Sequence, residues 1–423
     1  MKTWSKGIRF HEIKCNHVYP LIEENNNRVL KTMNKKEILN VGQIGCGAFA
    51  EGQDFRNLNA HPQVNLKWAC DISSERAQTM ASKFGVPNVT SNFMDVLNDP
   101  EIDMIKISTS HSVHLPIIRA AAERGIHIFC EKPMALDETE AFEIITAVRK
   151  NRVKMCVDMN RRVAPAMLAL QKQFLAHRAA PRHQPWRYIE NGRPRLTEDS
   201  FAHLLISIQD EGMSYRMTHL DPRNGGGEIM GEAVHWLDLV CALFAPARPV
   251  RITGMGSPRL SHSIRLEFDN GDDALLVFST VGTFDYPKET YELTCEGALF
   301  RSCFFVENQY YGVPGLDKEY FPLQHDCMKE RIASDGIDAY MQKAALRVQG
   351  LRNSKEGYGD LTVDKGHYNM LDFFVRSILE DSPSPCDEIA GYLAVYLARK
   401  AIESICLGQT LHLSPADVCP AFT

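Results

Sequence analysis

Residues Gly225 to Leu239 read GGGEIMGEAVHWLDL, so three glycines precede an amphipathic helix carrying Glu228, Glu232, His235 and Asp238. At 3.6 residues per turn each side chain is rotated about 100° from the last, and residues three or four apart share a face. Glu232 and Asp238 each stand three residues from His235, one on either side. A histidine with an ordinary pKa of about 6.5 is receptive to a proton near neutral pH, which is what a general base requires. Asp238 could orient the imidazole or pair with an arginine. Glu228 falls in the first turn, where a carboxylate suits the helix dipole, and is expected to cap. Glycines 225–227 would let the loop approach a ligand closely, or simply make it flexible. A metal is not expected, because His235 and Glu232 offer two ligands, short of the three protein ligands of a typical catalytic zinc.

A second stretch, Gly45-Cys46-Gly47-Ala48-Phe49-Ala50, follows an apolar run and opens a helical one. The first glycine allows a sharp turn, the second lets a pyrophosphate reach the backbone, and the small Ala50 lets helix pack on strand. The N–H groups of Gly47, Ala48 and Phe49 at the helix start would face the phosphates. Asp71 ends the next apolar run, 21 residues after Ala50, where a carboxylate can accept both ribose hydroxyls of an adenosine. A 2′-phosphate there would meet like charge, so the expected cofactor is NAD, with NADP less favoured.

The elements that would position these groups alternate. Strands are expected at 38–45, 64–71, 102–109 and 153–160, and within VTSNF and IHIFCEKP, with helices between them. Short strands separated by helices imply a doubly wound parallel sheet. After Asn160 a helix at about 164–177 leads into a Pro- and Arg-rich excursion, 178–222. Its Arg182, His183, Trp186, Arg187 and Tyr188 would suit a polyhydroxylated or acidic sugar, or an ordinary charged surface loop. Alternating runs follow, among them FDNGDDALLVFS, whose Asn-Gly signals a hairpin, and then two amphipathic helices. The expected fold is α/β overall: residues 1–37 an extension, 38–160 a Rossmann dinucleotide-binding domain, and 161–423 an α+β domain with a large, mostly antiparallel open sheet.

Of the 423 residues 44% are hydrophobic, and the net charge is −6. Such a chain can bury a large core, while scattered cations and a net negative charge argue against nucleic acid as a partner. No long apolar window predicts a membrane span, and the first 20 residues lack the apolar core of a signal peptide. Twelve cysteines without C-x-x-C spacing read as small buried hydrophobes, so a cytoplasmic location is expected.

Three further stretches carry a family resemblance: Glu131-Lys132-Pro133 after a strand, MNRRVAP (Met159 to Pro165) at the sheet's end, and GGGEIMGEAVHWLD. With the glycine-rich opening they resemble the Gfo/Idh/MocA family, over about residues 39–415. The resemblance implies a pyridine-nucleotide oxidoreductase acting on a sugar, cyclitol or derivative, forming homo-oligomers (dimer or tetramer) through the C-terminal sheet. It implies cofactor contacts at Gly45, Gly47, Asp71, Glu131, Lys132, Asn160 and the STSHSVH loop with Ser108, Thr109, His111 and His114. In that loop Ser110 and His111 replace the family's proline and asparagine. Lys132 and His235 match the family's lysine and histidine, the first to hold the substrate oxygen and the second as base. Arg161, Glu232 and Asp238 join them as expected substrate contacts. The family's usual aspartate, four residues before the histidine, is here Gly231. Glu232 is the expected replacement as partner of His235.

Three functions are compatible with these residues. The first is net hydride transfer between NAD and a secondary alcohol. The second is a redox-neutral lyase, glycosidase or epimerase with tightly held NAD, and the third a non-catalytic nucleotide sensor.

Overall fold

The computed structural model describes residues 36–180, 188–190, 193–195, 201–211, 221, 225–282, 286–325, 330–348 and 362–418. All but the last two residues of the expected extension, and Arg182, His183, Trp186 and Arg187 of the excursion, lie outside them.

Six short strands form the first sheet: β1 (Leu39–Ile44), β2 (Val64–Cys70), β3 (Asn88–Thr90), β4 (Met104–Ile107), β5 (His127–Cys130) and β6 (Met155–Val157). All pairs are parallel, in the order β3-β2-β1-β4-β5-β6. The order reverses between β1 and β4, which opens a crevice at their carboxyl ends. Crossovers run through α1 (Phe55–Ala60), α2 (Ser74–Phe84), α3 (Phe93–Leu97), α4 (His114–Ala122) and α5 (Glu138–Asn151). Covered on both faces, β4 is buried at every position, as its apolar run requires. Ser73 caps α2 through the Arg76 N–H, and left-handed Gly85 ends it. The helix expected after Gly47 is not uniform: Ala50–Asp54 is π-helical before α1 begins.

A 3₁₀ turn, Asn160–Val163, leads into α6 (Pro165–Ala179), with proline at its start. A small hairpin follows, β7 (Tyr188–Glu190) and β8 (Arg193–Arg195). The second large sheet is built from β9 (Ala202–Glu211), β10 (Pro249–Gly256), β11 (His262–Phe268), β12 (Asp273–Gly282), β13 (Glu289–Cys295) and β14 (Ala298–Cys303). It is extended by β15 (Glu307–Tyr311) and β16 (Lys318–Tyr320). A minor sheet holds β17 (Leu323–His325), β18 (Glu330–Ile332) and β19 (Thr362–Val363), and β20 (Leu411–His412) closes one edge of the large sheet. Every pairing in the large sheet is antiparallel except β9 with β12. The expected Asn270-Gly271 turn joins β11 to β12, with Gly271 at φ 89°.

Alternate residues of β11 and β12 are buried. They pack under α7 (Val234–Phe244), Phe244 on Phe268 and Trp236 on Phe278, while α6 covers β14 through Phe174 on Phe300. After α8 (Ile337–Val348), α9 (His367–Glu380) and α10 (Glu388–Leu407) return to the first sheet, and α11 (Pro415–Val418) is the last described element. Phe374 of α9 meets Phe129 of β5, and Tyr392 of α10 meets Phe142 of α5. The C-terminal helices therefore brace the two halves against each other. Among the described residues no helix is long and apolar enough to cross a membrane, and nine cysteines are unpaired.

Candidate functional site

The carboxyl end of β1 turns at Gly45, φ 100°, where a Cβ would stand 2.2 Å from the Ser108 carbonyl oxygen. Only glycine fits so close to the loop after β4. Around Gly47 nothing lies within 4 Å of a built Cβ, so its backbone is uncovered, as a phosphate cradle needs. Ala48 and the half-exposed Phe49 follow, and the Phe49 ring meets His367 at the start of α9 edge-on, 5.8 Å between centroids.

Asp71 stands at the end of β2 as expected, but its carboxylate is already engaged. It accepts from Cys46 N (2.9 Å), Ser73 N (2.8 Å) and the Arg76 guanidinium (2.7 Å). Burial alone would push its pKa up. Arg76 and the two backbone donors outweigh that and hold it below the ordinary carboxylate range. The half-exposed Arg76 is a cation at the ribose end that sequence reasoning did not weigh.

In the loop after β4, Ser108 bonds Asp54 and accepts from Gln43 (3.2 Å). Thr109 donates to the Ser110 carbonyl (3.3 Å). His111 reaches across the cleft, its Nδ1 3.0 Å from the Gly225 carbonyl oxygen, so it ties the glycine run to the Rossmann half. His114 differs from expectation. It is fully buried, with Nδ1 3.0 Å from the Pro133 carbonyl oxygen, and burial pushes its pKa down to about 4. It fixes the loop carrying Lys132 and does not itself line the cleft.

Glu131 also turns inward. Its carboxylate accepts from Lys106 Nζ (2.7 Å), which also bonds Asp158 (2.8 Å) and lies 3.4 Å from Asp54. Burial opposes a charged Lys106, but the three acids hold its pKa well above the ordinary range. Burial drives Glu131 and Asp54 up, while Asp158, beside Lys106 and His367, is held low. Three acids this close resemble a cation site, and the Lys106 ammonium fills it. Asn160 is buried and donates to the Lys365 carbonyl (2.8 Å), leaving Oδ1 without a partner.

From the loop after β5, Lys132 Nζ reaches across to the other wall and donates to Glu232 Oε1 and to the Gly231 carbonyl oxygen, each at 2.8 Å. Burial would raise Glu232, but Lys132, Lys288 and Arg161 draw it down to about 2. Glu232 is thus the partner of Lys132, and the expected Glu232–His235 pairing is not formed. The reason is local: Ile229–Ala233 is π-helical, and i→i+5 bonding widens the turn so that α-helical phase no longer applies. His235 is 5% exposed, and its Nδ1 is buried without a partner. Burial, then Arg161 and Lys132, push its pKa well below the ordinary histidine value, so the ring is neutral.

Of its two expected roles Asp238 takes the arginine pair, a buried two-pronged one with Arg162 (Nε–Oδ2 2.8 Å), so it is not the expected substrate contact. Two further expectations are corrected. Arg161 is held by Glu289 (2.9 and 2.8 Å) and lies over the Trp236 ring at 4.5 Å, so it organises the wall instead of standing free for substrate. Glu228 makes no capping bond; it is 2% exposed with Oε1 unpartnered. Burial, then Glu232 and Asp210, push its pKa to about 7. A separate cavity of about 140 Å³ lies behind α7, lined by Arg162, Asp238, Cys241 and Arg248, among others, and neither Lys132 nor His235 borders it.

Sequence reasoning missed Lys106, Glu289, Lys288, Lys365 and His367. Lys106 was the one with a signal, a lone lysine inside the apolar IDMIKIST. Glu289, at the head of β13, accepts also from Trp236 Nε1 (3.0 Å) and the Tyr291 hydroxyl (2.6 Å). Lys288 pairs with Asp210 (2.6 Å).

A Rossmann sheet with a lysine in the loop after β5, facing a glutamate and near a neutral histidine from beyond residue 160, is the architecture of a pyridine-nucleotide oxidoreductase. Residues 39–159 match the model of the oxidoreductase family with NAD-binding Rossmann fold, GFO_IDH_MocA. The chain is 27% identical over 258 residues to the uncharacterized oxidoreductase YrbE of Bacillus subtilis, covering 58% of this chain and 69% of that one. It is 35% identical over 151 residues to levoglucosan dehydrogenase of Pseudarthrobacter phenanthrenivorans, covering 34% and 38%. A solved levoglucosan dehydrogenase in complex with NADH shares the fold, with TM-score 0.68, 19% identity and coverage of 89% and 99%. Residues 39–159 thus match the NAD-binding Rossmann domain of the GFO_IDH_MocA oxidoreductases, and the chain is similar to oxidoreductases beyond that domain.

Proposed function

We propose that this enzyme transfers a hydride between NAD and a secondary alcohol carbon of a sugar, cyclitol or sugar derivative. The observation that carries the reading is the Lys132–Glu232 pair, facing the cleft beside neutral His235. Bound NAD would supply the hydride acceptor, held by Gly45, Gly47, Ala48, Phe49, Asp71, Ser108 and Thr109. Lys132 holds the substrate oxygen and stabilises the negative charge that develops on it. Glu232 keeps that lysine placed, and His235 takes the hydroxyl proton as the C–H bond breaks.

NAD is preferred over NADP because the Asp71 carboxylate would repel a 2′-phosphate, although Arg76 tempers that repulsion. The relatives' names, dehydrogenases and oxidoreductases, support net redox chemistry over the redox-neutral course. Residues 38–160 act as the cofactor domain and 161–423 as the substrate domain. Copies associate through the open face of the large sheet, where Leu205, Leu275, Val277 and Val281 are incompletely buried.

A screen of sugars, uronates and inositols for NADH formation tests the reaction. Lys132→Ala and His235→Ala should lose turnover while still binding NAD. Turnover by either variant at the wild-type rate overturns the assignment.

A further inference from the structure

Four cations surround the cleft among the described residues: Lys132, Arg161, Lys288 and Lys365. Three have a carboxylate at hydrogen-bond distance, namely Glu232 at 2.8 Å, Glu289 at 2.8 Å and Asp210 at 2.6 Å. Lys365 has none. Its nearest described carboxylate oxygen is Glu289 Oε1 at 3.6 Å, and that oxygen already accepts from Arg161. Its Nζ stands 5.2 Å from the centre of the Phe304 ring, which gives it a face but no acceptor.

The surroundings deepen the mismatch. Burial, with Lys288 and Arg161 adding to it, pushes the Lys365 pKa down to about 8 despite the nearby Glu289. The Glu289 carboxylate that Lys365 approaches also accepts from Trp236 Nε1 (3.0 Å), the residue after His235, so the ammonium stands against the wall that carries His235. The Lys365 side chain is 24% exposed, so its ammonium is open to the solvent and an arriving carboxylate can pair with it directly.

We infer that Lys365 is a specificity-determining residue which receives the carboxylate of an acidic sugar, such as a uronate or aldonate, in the substrate cleft. The inference rests on the dehydrogenase reading above and narrows its substrate class. The competing source of the same chemistry is a phosphate of the cofactor.

The test compares D-glucuronate with D-glucose in the wild type, Lys365→Met and Lys365→Arg, by NADH formation and by calorimetric binding to the NAD-loaded protein. Glucuronate should be preferred, and K365M should weaken its kcat/KM and affinity about 10- to 100-fold, the range of one charge-assisted hydrogen bond. The preference for glucuronate over glucose should fall by most of that factor while the KM for NAD holds, and K365R should retain most of the preference. An equal loss for both sugars, or a wild type that prefers glucose, overturns the inference. A rise in the KM for NAD without a change in sugar preference also overturns it, assigning Lys365 to a cofactor phosphate. NADH from glucose or an inositol but not from glucuronate sinks this inference and leaves the dehydrogenase intact. Lys365-dependent glucuronate binding with no NADH from any sugar sinks the dehydrogenase reading instead.

Discussion

Glu228 is a buried carboxyl that the fold holds without a partner, and replacing it with glutamine isolates its contribution to the pH dependence of stability. Its pKa rises from an ordinary 4.5 in the unfolded chain to about 7 in the folded one. Between those values the unfolded chain has released the proton and the folded chain has not. The folded state is therefore favoured most at the acid end, and the advantage is lost as pH rises through 7. At about 1.4 kcal/mol per pH unit the full difference is about 3 kcal/mol. Urea denaturation of wild type and Glu228→Gln at about pH 5 and about pH 8 measures it, because other titrating groups cancel in the comparison. Wild-type stability relative to the variant should fall by up to about 3 kcal/mol from the lower to the higher pH. A difference that stays flat, or grows with pH, refutes the assignment of a buried protonated carboxyl.

Glu232→Gln removes the anion from Lys132 and should lower kcat about 10²-fold with little change in the KM for NAD, whereas Glu228→Gln should leave kcat within about tenfold; steady-state kinetics compare them. Because Glu232 is held down to about 2, the stability it contributes is present above pH 4.5 and is lost as pH falls towards 2, a loss that Glu232→Gln should abolish in acid denaturation. Asp71→Ser frees Arg76 and removes the repulsive carboxylate, so the KM ratio of NADP to NAD should fall at least about tenfold. Arg162→Met strands Asp238 in the core and should cost about 3–5 kcal/mol in urea denaturation, with much of the loss recovered in Arg162→Met/Asp238→Leu.

The Rossmann half was legible because its signals are local. Apolar runs, a serine cap at Ser73 and glycines at 45 and 47 each report on their immediate neighbours, and β1 to β6 follow from them. The hairpin at Asn270-Gly271 was legible for the same reason. The pairing within the candidate site was not legible. Lys132 and Glu232 do meet, but the expected Glu232–His235 pair does not form, beside a π-helical turn that residue spacing does not announce. Glu131 and Arg161 were placed by resemblance and Asp238 by its spacing from His235, and each is engaged by a cation or acid distant in sequence: Lys106, Glu289 and Arg162. Long-range ion pairs of that kind leave no periodic trace. Lys365 stayed hidden because an ordinary lysine before a glycine acquires meaning only from what the fold leaves unbonded around it.

The position of β9 has a consequence for how the chain folds. Strands β10, β11 and β12 form a meander of neighbours, and β13 to β16 form another. Each can close with short loops soon after collapse. Only β9 joins them, lying between β12 and β13 although it precedes both by a long stretch of chain. Its insertion must wait until both flanking strands are presented, and it carries the loop-closure entropy of the whole intervening segment. Until then each meander offers an unpaired strand edge to any other chain. The slow step of refolding and the window for misassembly should coincide at this one strand.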